Sequence, residues 1–125
     1  MIDILIGREY KVGDLAMTHR RDDIPWLVEV LDAKRKGYEA RLTRMVKDSE
    51  SGLYRVCTEN LREEDILREG PSHPLGCTYG FVPSREMIRL RADNVDFASI
   101  GKWQEFRRKE EYMRYLQRFQ ASKAA

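Results

Sequence analysis

Trp26-Leu27-Val28-Glu29-Val30-Leu31-Asp32-Ala33 is followed at once by Lys34-Arg35-Lys36-Gly37, and then by Tyr38-Glu39-Ala40-Arg41-Leu42-Thr43-Arg44-Met45-Val46. The first run is rich in β-branched and aromatic residues, and successive side chains of a strand point to opposite faces. Trp26, Val28 and Val30 therefore share one face, and Leu27, Leu31 and Ala33 share the other with Glu29. Apolar residues on both faces predict a central strand. The four-residue polar segment reads as a tight turn in which Gly37 is free to take positive φ. The second run returns with Tyr38, Ala40, Leu42 and Val46 against Glu39, Arg41 and Thr43, and Arg44 interrupts the pattern where the strand reaches a rim. The next polar turn, Lys47–Gly52, leads to a third strand, Leu53–Thr58, with Tyr54 and Val56 facing inward. Three strands joined by two short turns make an antiparallel meander.

Upstream, Ile2–Ile6 is a short apolar strand candidate, Gly13-Asp14 a turn, and Leu15–Thr18 a resumed strand. His19–Pro25 holds four charges and a proline and reads as a solvated loop. Downstream, Asn60 can cap a short helical turn with Glu63 three residues on. Gly70–Gly76 is a loop and Cys77–Val82 a strand. In Met87–Ala92 the alternation of Ile88, Leu90 and Ala92 with Arg89 and Arg91 favours a strand, against a helical turn capped by Ser84. Ser99–Gln120 is a helix with Ser99 as N-cap. At about 100° per residue, Phe106, Tyr112, Met113, Leu116 and Phe119 fall on one half of the wheel. Arg107, Glu110, Glu111, Arg114, Gln117 and Arg118 fall on the other, with Trp103 near the boundary. The predicted organisation is a β domain over 1–98, with an irregular 69–98 extension, and a basic amphipathic helix over 99–125.

The segment from Tyr10 to Arg68 resembles an SH3-like small β-barrel of the Tudor or chromo-barrel kind. The likeness rests on Tyr10-x-Val12-Gly13-Asp14-Leu15-Ala16 as the opening strand, the arginine-bearing loop into Trp26–Ala33, and the hairpin to Tyr38–Val46. Leu53–Thr58 and the turn at Glu59-Asn60-Leu61-Arg62 complete it; the likeness does not extend past Gly70. The resemblance implies an α+β fold, a small antiparallel barrel followed by the C-terminal amphipathic helix. It also implies a binding role toward peptides, nucleic acid or a protein surface. Peptide-reading barrels hold a cation in an aromatic cage. Tyr10, Trp26, Tyr38 and Tyr54 are the aromatics able to build one, with Asp22 or Asp23 as the acid, but the alternation favours core roles for Trp26, Tyr38 and Tyr54.

The 125-residue, 14.8 kDa chain is 42% hydrophobic and 35% charged, which suits one small domain and excludes a disordered chain. No apolar run approaches the ~18 residues of a membrane span. The N-terminus has neither basic leader nor cleavage site, so a soluble, cytoplasmic protein is expected. Residues 1–98 carry 16 Lys and Arg against 18 Asp and Glu, a net −2; residues 99–125 carry 7 against 3, a net +4. The pI of 8.6 permits nucleic acid without demanding it.

Two cysteines make no disulfide scaffold. Cys57, Cys77, His19 and His73 lack zinc-ligand spacing, so no metal and no cofactor is expected. Neither Cys77 with His73 nor the carboxylates Asp22-Asp23 and Glu63-Glu64-Asp65 show the partners of a catalytic site, which leaves an enzyme the least supported class.

Two surfaces remain. Arg20, Arg21, Lys34, Arg35, Lys36, Arg41 and Arg44 could form a basic barrel rim. Trp103, Phe106, Tyr112, Met113, Leu116 and Phe119, with Tyr115, form the aromatic side of the helix, which must be buried against something. Its own barrel is the favoured cover; a protein partner or a second copy of the chain is the other. The expected function is a non-enzymatic binding or regulatory protein docking through rim and helix, with a nucleic-acid-binding module as the alternative. By association alone, such a short charged domain suits a virus-encoded modulator of a host complex.

Overall fold

Alternating apolar residues and turn chemistry produce a four-stranded antiparallel sheet in the order β1-β2-β3-β6. Its strands are β1 (Leu15–His19), β2 (Pro25–Lys34), β3 (Gly37–Arg44) and β6 (Thr78–Pro83). A separate two-stranded sheet pairs β4 (Val46–Lys47) with β5 (Tyr54–Arg55), and the helix α1 spans Phe97–Ala124. The structure, a computed structural model, describes residues 9–20, 23–58, 61 and 77–124, with side chains through Gln120. The architecture is α+β. The expected strand at Ile2–Ile6, the turn after Asn60 and the loop at Gly70–Gly76 lie outside the described residues.

The sheet is apolar on both faces, as the β2 sequence predicts. Ala16, Val28, Val30, Tyr38, Ala40, Leu42 and Val82 form one buried cluster with Tyr10, and Trp26 and Met87 pack at its margin. Met17, Leu27 and Met45 form the other with Val56, Cys77, Val95, Ile100 and Trp103. The two tyrosines of the first cluster meet edge to face at 5.6 Å, and the Tyr10 amide donates to the Tyr38 hydroxyl at 3.2 Å. Between Val30 and Asp32 the register slips and Leu31 is left unpaired and exposed, a bulge that bends β2. Beyond β6 a single 3-10 turn, Ser84–Glu86, carries the chain to Ile88. Ile88 exchanges two backbone hydrogen bonds, 2.8 and 2.9 Å, with Met17 on the outer edge of β1. Across the bend, the Arg20 guanidinium donates to the Phe81 carbonyl at 2.7 Å. The sheet itself remains open.

Several local expectations change. The third strand shortens to Tyr54–Arg55 and does not join the main sheet, because Met45 breaks away to donate to the Pro25 carbonyl at 3.0 Å and β6 takes the place beside β3. Tyr54 and Val56 therefore belong to the helix-side core. Met87–Ala92 contributes one bridge at Ile88 rather than a strand, and the Ser84 hydroxyl caps nothing. The helix begins at Phe97, with Asp96 as its cap: the Ala98 amide donates to Asp96 Oδ1 at 3.0 Å. Ser99 lies inside the helix. Its hydroxyl donates to the Asp96 carbonyl and accepts from the Val56 amide, tying α1 to the segment after β5.

At the β2–β3 turn the left-handed residue is Lys36, at φ 67°, not Gly37. Gly37 is required for space instead. A Cβ there would lie 2.5 Å from the Val82 carbonyl oxygen and 2.4 Å from the Phe81 ring. Since the Phe81 ring can swing but the backbone carbonyl cannot, Gly37→Ala is expected to lower stability by about 1–3 kcal/mol, read as a fall in the urea midpoint with an unchanged m-value.

Candidate interaction surface

Helix α1 lies on the sheet face that carries Glu29 and Arg41, which are cross-strand neighbours on β2 and β3. Arg41 is only 3% exposed and Glu110 only 1%. The Arg41 guanidinium donates to Glu110 Oε1 at 3.3 Å, and Arg107 donates to the same oxygen at 2.6 Å. Arg114 Nε lies 3.5 Å from that oxygen, and Arg107 also reaches Glu29 at 3.9 Å and Glu111 at 3.8 Å. One buried carboxylate is thus surrounded by three guanidinium groups, two from its own helix and one from the sheet.

This cluster sets the rotation of the helix. The face against the sheet is Ser99, Ile100, Trp103, Arg107 and Glu110, with Phe106 and Met113 half-buried beside it. The wheel half chosen by hydropathy is not the face that packs. Trp103, expected near the boundary, lies at the centre of the buried face, and two residues of the expected polar half, Arg107 and Glu110, accompany it. Tyr112, Tyr115 and Phe119 are left 61%, 56% and 47% exposed, on the side of the helix away from the sheet. Of the six helix residues expected to bind a partner, Trp103 is core, Phe106, Met113 and Leu116 are half-buried, and Tyr112 and Phe119 are exposed. Tyr115 and Phe119, one helical turn apart, lie with ring planes 12° apart and centroids at 6.3 Å. From Glu111 to Gln120 no residue is fully buried.

Burial raises the Glu29 carboxyl above its ordinary value. Arg41 opposes the shift, and the nearby Glu111 and Glu110 reinforce it. For Arg41 burial works toward a lower value, but Cys77, Glu110 and Tyr79 together outweigh it and the guanidinium is held more firmly charged.

The basic residues do not gather on one rim. Arg41 is inside the helix–sheet interface. Its polar position in the alternation made it read as a rim residue, and a buried carboxylate on a distant helix is invisible at that stage. Lys34, paired with Asp32 at 3.1 Å, and exposed Arg35 and Lys36 occupy the hairpin tip at one end of β3. Arg44 is at the other end, over the Trp26 ring at 5.6 Å. Arg20 is committed to the Phe81 carbonyl, and Arg21 lies outside the described residues. The sequence reading missed a smaller grouping near Arg44: Lys47 sits over the Tyr54 ring at 5.9 Å, and His19 meets the same ring edge to face at 5.4 Å. A basic residue recurring three positions after Arg44 was the available signal.

The four cage aromatics are not assembled either. Tyr10 and Tyr38 are buried together, Trp26 lies at the margin of their cluster, and Tyr54 belongs to the other. Cys77 is buried 3.8 Å from the Thr43 hydroxyl, Cys57 is exposed, and His73 lies outside the described residues. Among the described residues no three His, Cys, Asp or Glu side chains come together to hold a metal ion, and no helix is long and apolar enough to cross a membrane.

Removing one partner of a buried ion pair strands the other. Arg41→Ala and Glu110→Ala are each expected to cost about 3–5 kcal/mol in chemical denaturation. For Glu29 the folded state binds the proton more tightly than the unfolded state. Its contribution is therefore most favourable at acid pH and declines as pH rises past the ordinary value of 4.5. The stability of Glu29→Gln relative to the wild type should accordingly increase between pH of about 4 and about 7, measured by urea unfolding at both.

The chain matches no protein-family profile, no curated protein and no solved structure.

Proposed function

We propose that this is a non-enzymatic docking protein whose binding surface is the outer stripe of α1. The observation that carries the reading is the exposure of Tyr112, Tyr115 and Phe119 on one side of a helix whose other side is already occupied by the sheet. Exposed aromatics in line mark an interaction surface more reliably than scattered apolar residues do. Tyr, Phe, Met and Arg are also the residues enriched where proteins meet, and Met113, Arg114, Arg118 and Leu116 border the stripe. Under this reading the sheet is a rigid platform that aims the helix. Its bend, the Ile88–Met17 bridge and the Arg20–Phe81 hydrogen bond support a small SH3-like barrel as that platform. The two free cysteines, Cys57 and Cys77, suit the reducing cytoplasm.

A second reading has its own observation. Arg44 on Trp26 and Lys47 on Tyr54 interleave cations with aromatic rings at one end of the sheet, where the His19 ring also meets Tyr54, as single-stranded nucleic-acid surfaces do. Salt distinguishes the two, since nucleic-acid affinity falls log-linearly with salt concentration while an apolar stripe responds little.

Tyr115→Glu/Phe119→Glu is the test. Both residues are exposed, so thermal stability is expected to stay near that of the wild type. Proteins captured by the full chain from its native source, with nuclease present, should be lost with the double variant. Capture that survives the substitutions, or that nuclease abolishes in the wild type, rejects the docking reading.

A further inference from the structure

Assigned a heptad with Tyr112 and Phe119 at position a, the helix places Arg108 and Tyr115 at d, Glu111 and Arg118 at g, and Lys109 and Leu116 at e. All but the half-buried Leu116 are exposed. In an antiparallel pair the a residues of one helix meet the d residues of the other, and g residues meet g residues. The pattern is then complementary to itself. Tyr112 meets Tyr115 of the second copy and the reverse, and the ring of Phe119 meets the Arg108 guanidinium of the second copy, a cation–π contact. The g positions oppose Glu111 to Arg118 twice, once on each side of the two-fold axis. The e positions lay the Lys109 stem along Leu116.

A parallel pair has no such fit. It would leave Glu111 opposite Leu116 and would not bring it to Arg118. The Glu111 carboxylate is 68% exposed, and Arg107 approaches it no closer than 3.8 Å, so a second cation can reach it from solvent.

We infer that the occupant of the docking stripe is a second copy of this chain, its α1 antiparallel to the first. The inference rests on the docking reading and adds the partner. The contact layers run from Arg108 to Phe119, about 17 Å at 1.5 Å per residue. Two single helices meeting over that length fall short of the roughly 1,600 Å² of a standard stable interface, so the dimer is a concentration-dependent one.

Sedimentation equilibrium on the full chain over a wide concentration range decides it. The expected result is a mass rising from 14.8 kDa toward twice that value. Arg118→Glu sets glutamate against Glu111 on both sides and should weaken association at least about ten-fold. Adding Glu111→Arg to it reverses both pairs and should restore the wild-type constant. Far-UV circular dichroism should be unchanged in both variants, and Tyr112→Glu, which acts through the apolar layers, is a second route to dissociation. A wild-type mass of 14.8 kDa at every concentration overturns this inference and leaves the docking reading to be judged on the capture experiment. Association that Arg118→Glu does not weaken, or that the double reversal does not restore, overturns the antiparallel geometry.

Discussion

A carboxylate sealed from water must be answered by positive charge, because an unpaired buried ion costs several kcal/mol. Glu110 is that carboxylate, and the position of α1 follows from it. Arg107 and Arg114 are on its own helix, three residues before it and four after, and they would reach it in any orientation. Arg41 is different. It projects from β3, and it meets Glu110 only if the helix turns that side to the sheet. The ion cluster therefore acts less as a source of net stability than as a selector among rotations. Hydropathy alone would favour turning Tyr112, Tyr115 and Phe119 inward.

The sheet supplies the complementary constraint. β2 carries apolar residues on both faces, so neither face of the sheet can be left to water. One face is covered by bending the sheet around Val28, Val30, Tyr38 and Val82, and the bulge at Leu31 contributes to the bend. The other is covered by the first half of the helix, with Ile100 and Trp103 over Met17 and Leu27. With both faces closed, the second half of the helix has no sheet left to cover. Tyr112, Tyr115 and Phe119 stay exposed, with no surface among the described residues laid over them.

Much of this was legible in the sequence, and most of the failures share a cause. The hairpin of β2 and β3, the strand after Cys77 and the long C-terminal helix follow from periodicity and turn chemistry, which act between residues close along the chain. The two-sided burial of β2 was readable because Leu27 and Val28 are both apolar. Most of the misreadings depend on partners far away in sequence, and the one at Ser99 is local. Arg41 looks like any strand arginine until Glu110, 69 residues on, lies over it. Leu53–Thr58 has strand character, yet Cys77–Val82 pairs better beside β3. Ser99 is a good cap by type, but Asp96 stands three residues earlier and takes the role. The helical wheel sorted residues by hydropathy, whereas the protein sorted them by which charges had to meet.

The Arg20–Phe81 hydrogen bond has a consequence for solubility. β6 borders the main sheet and displays Tyr79 and Phe81 to solvent, the composition of a strand that recruits others. By occupying the Phe81 carbonyl, the guanidinium removes an acceptor that an incoming chain would need, and its charge repels further stacking. A side chain from the loop after β1 thus covers a backbone acceptor on the opposite border of the sheet, as charged residues at natural sheet edges do.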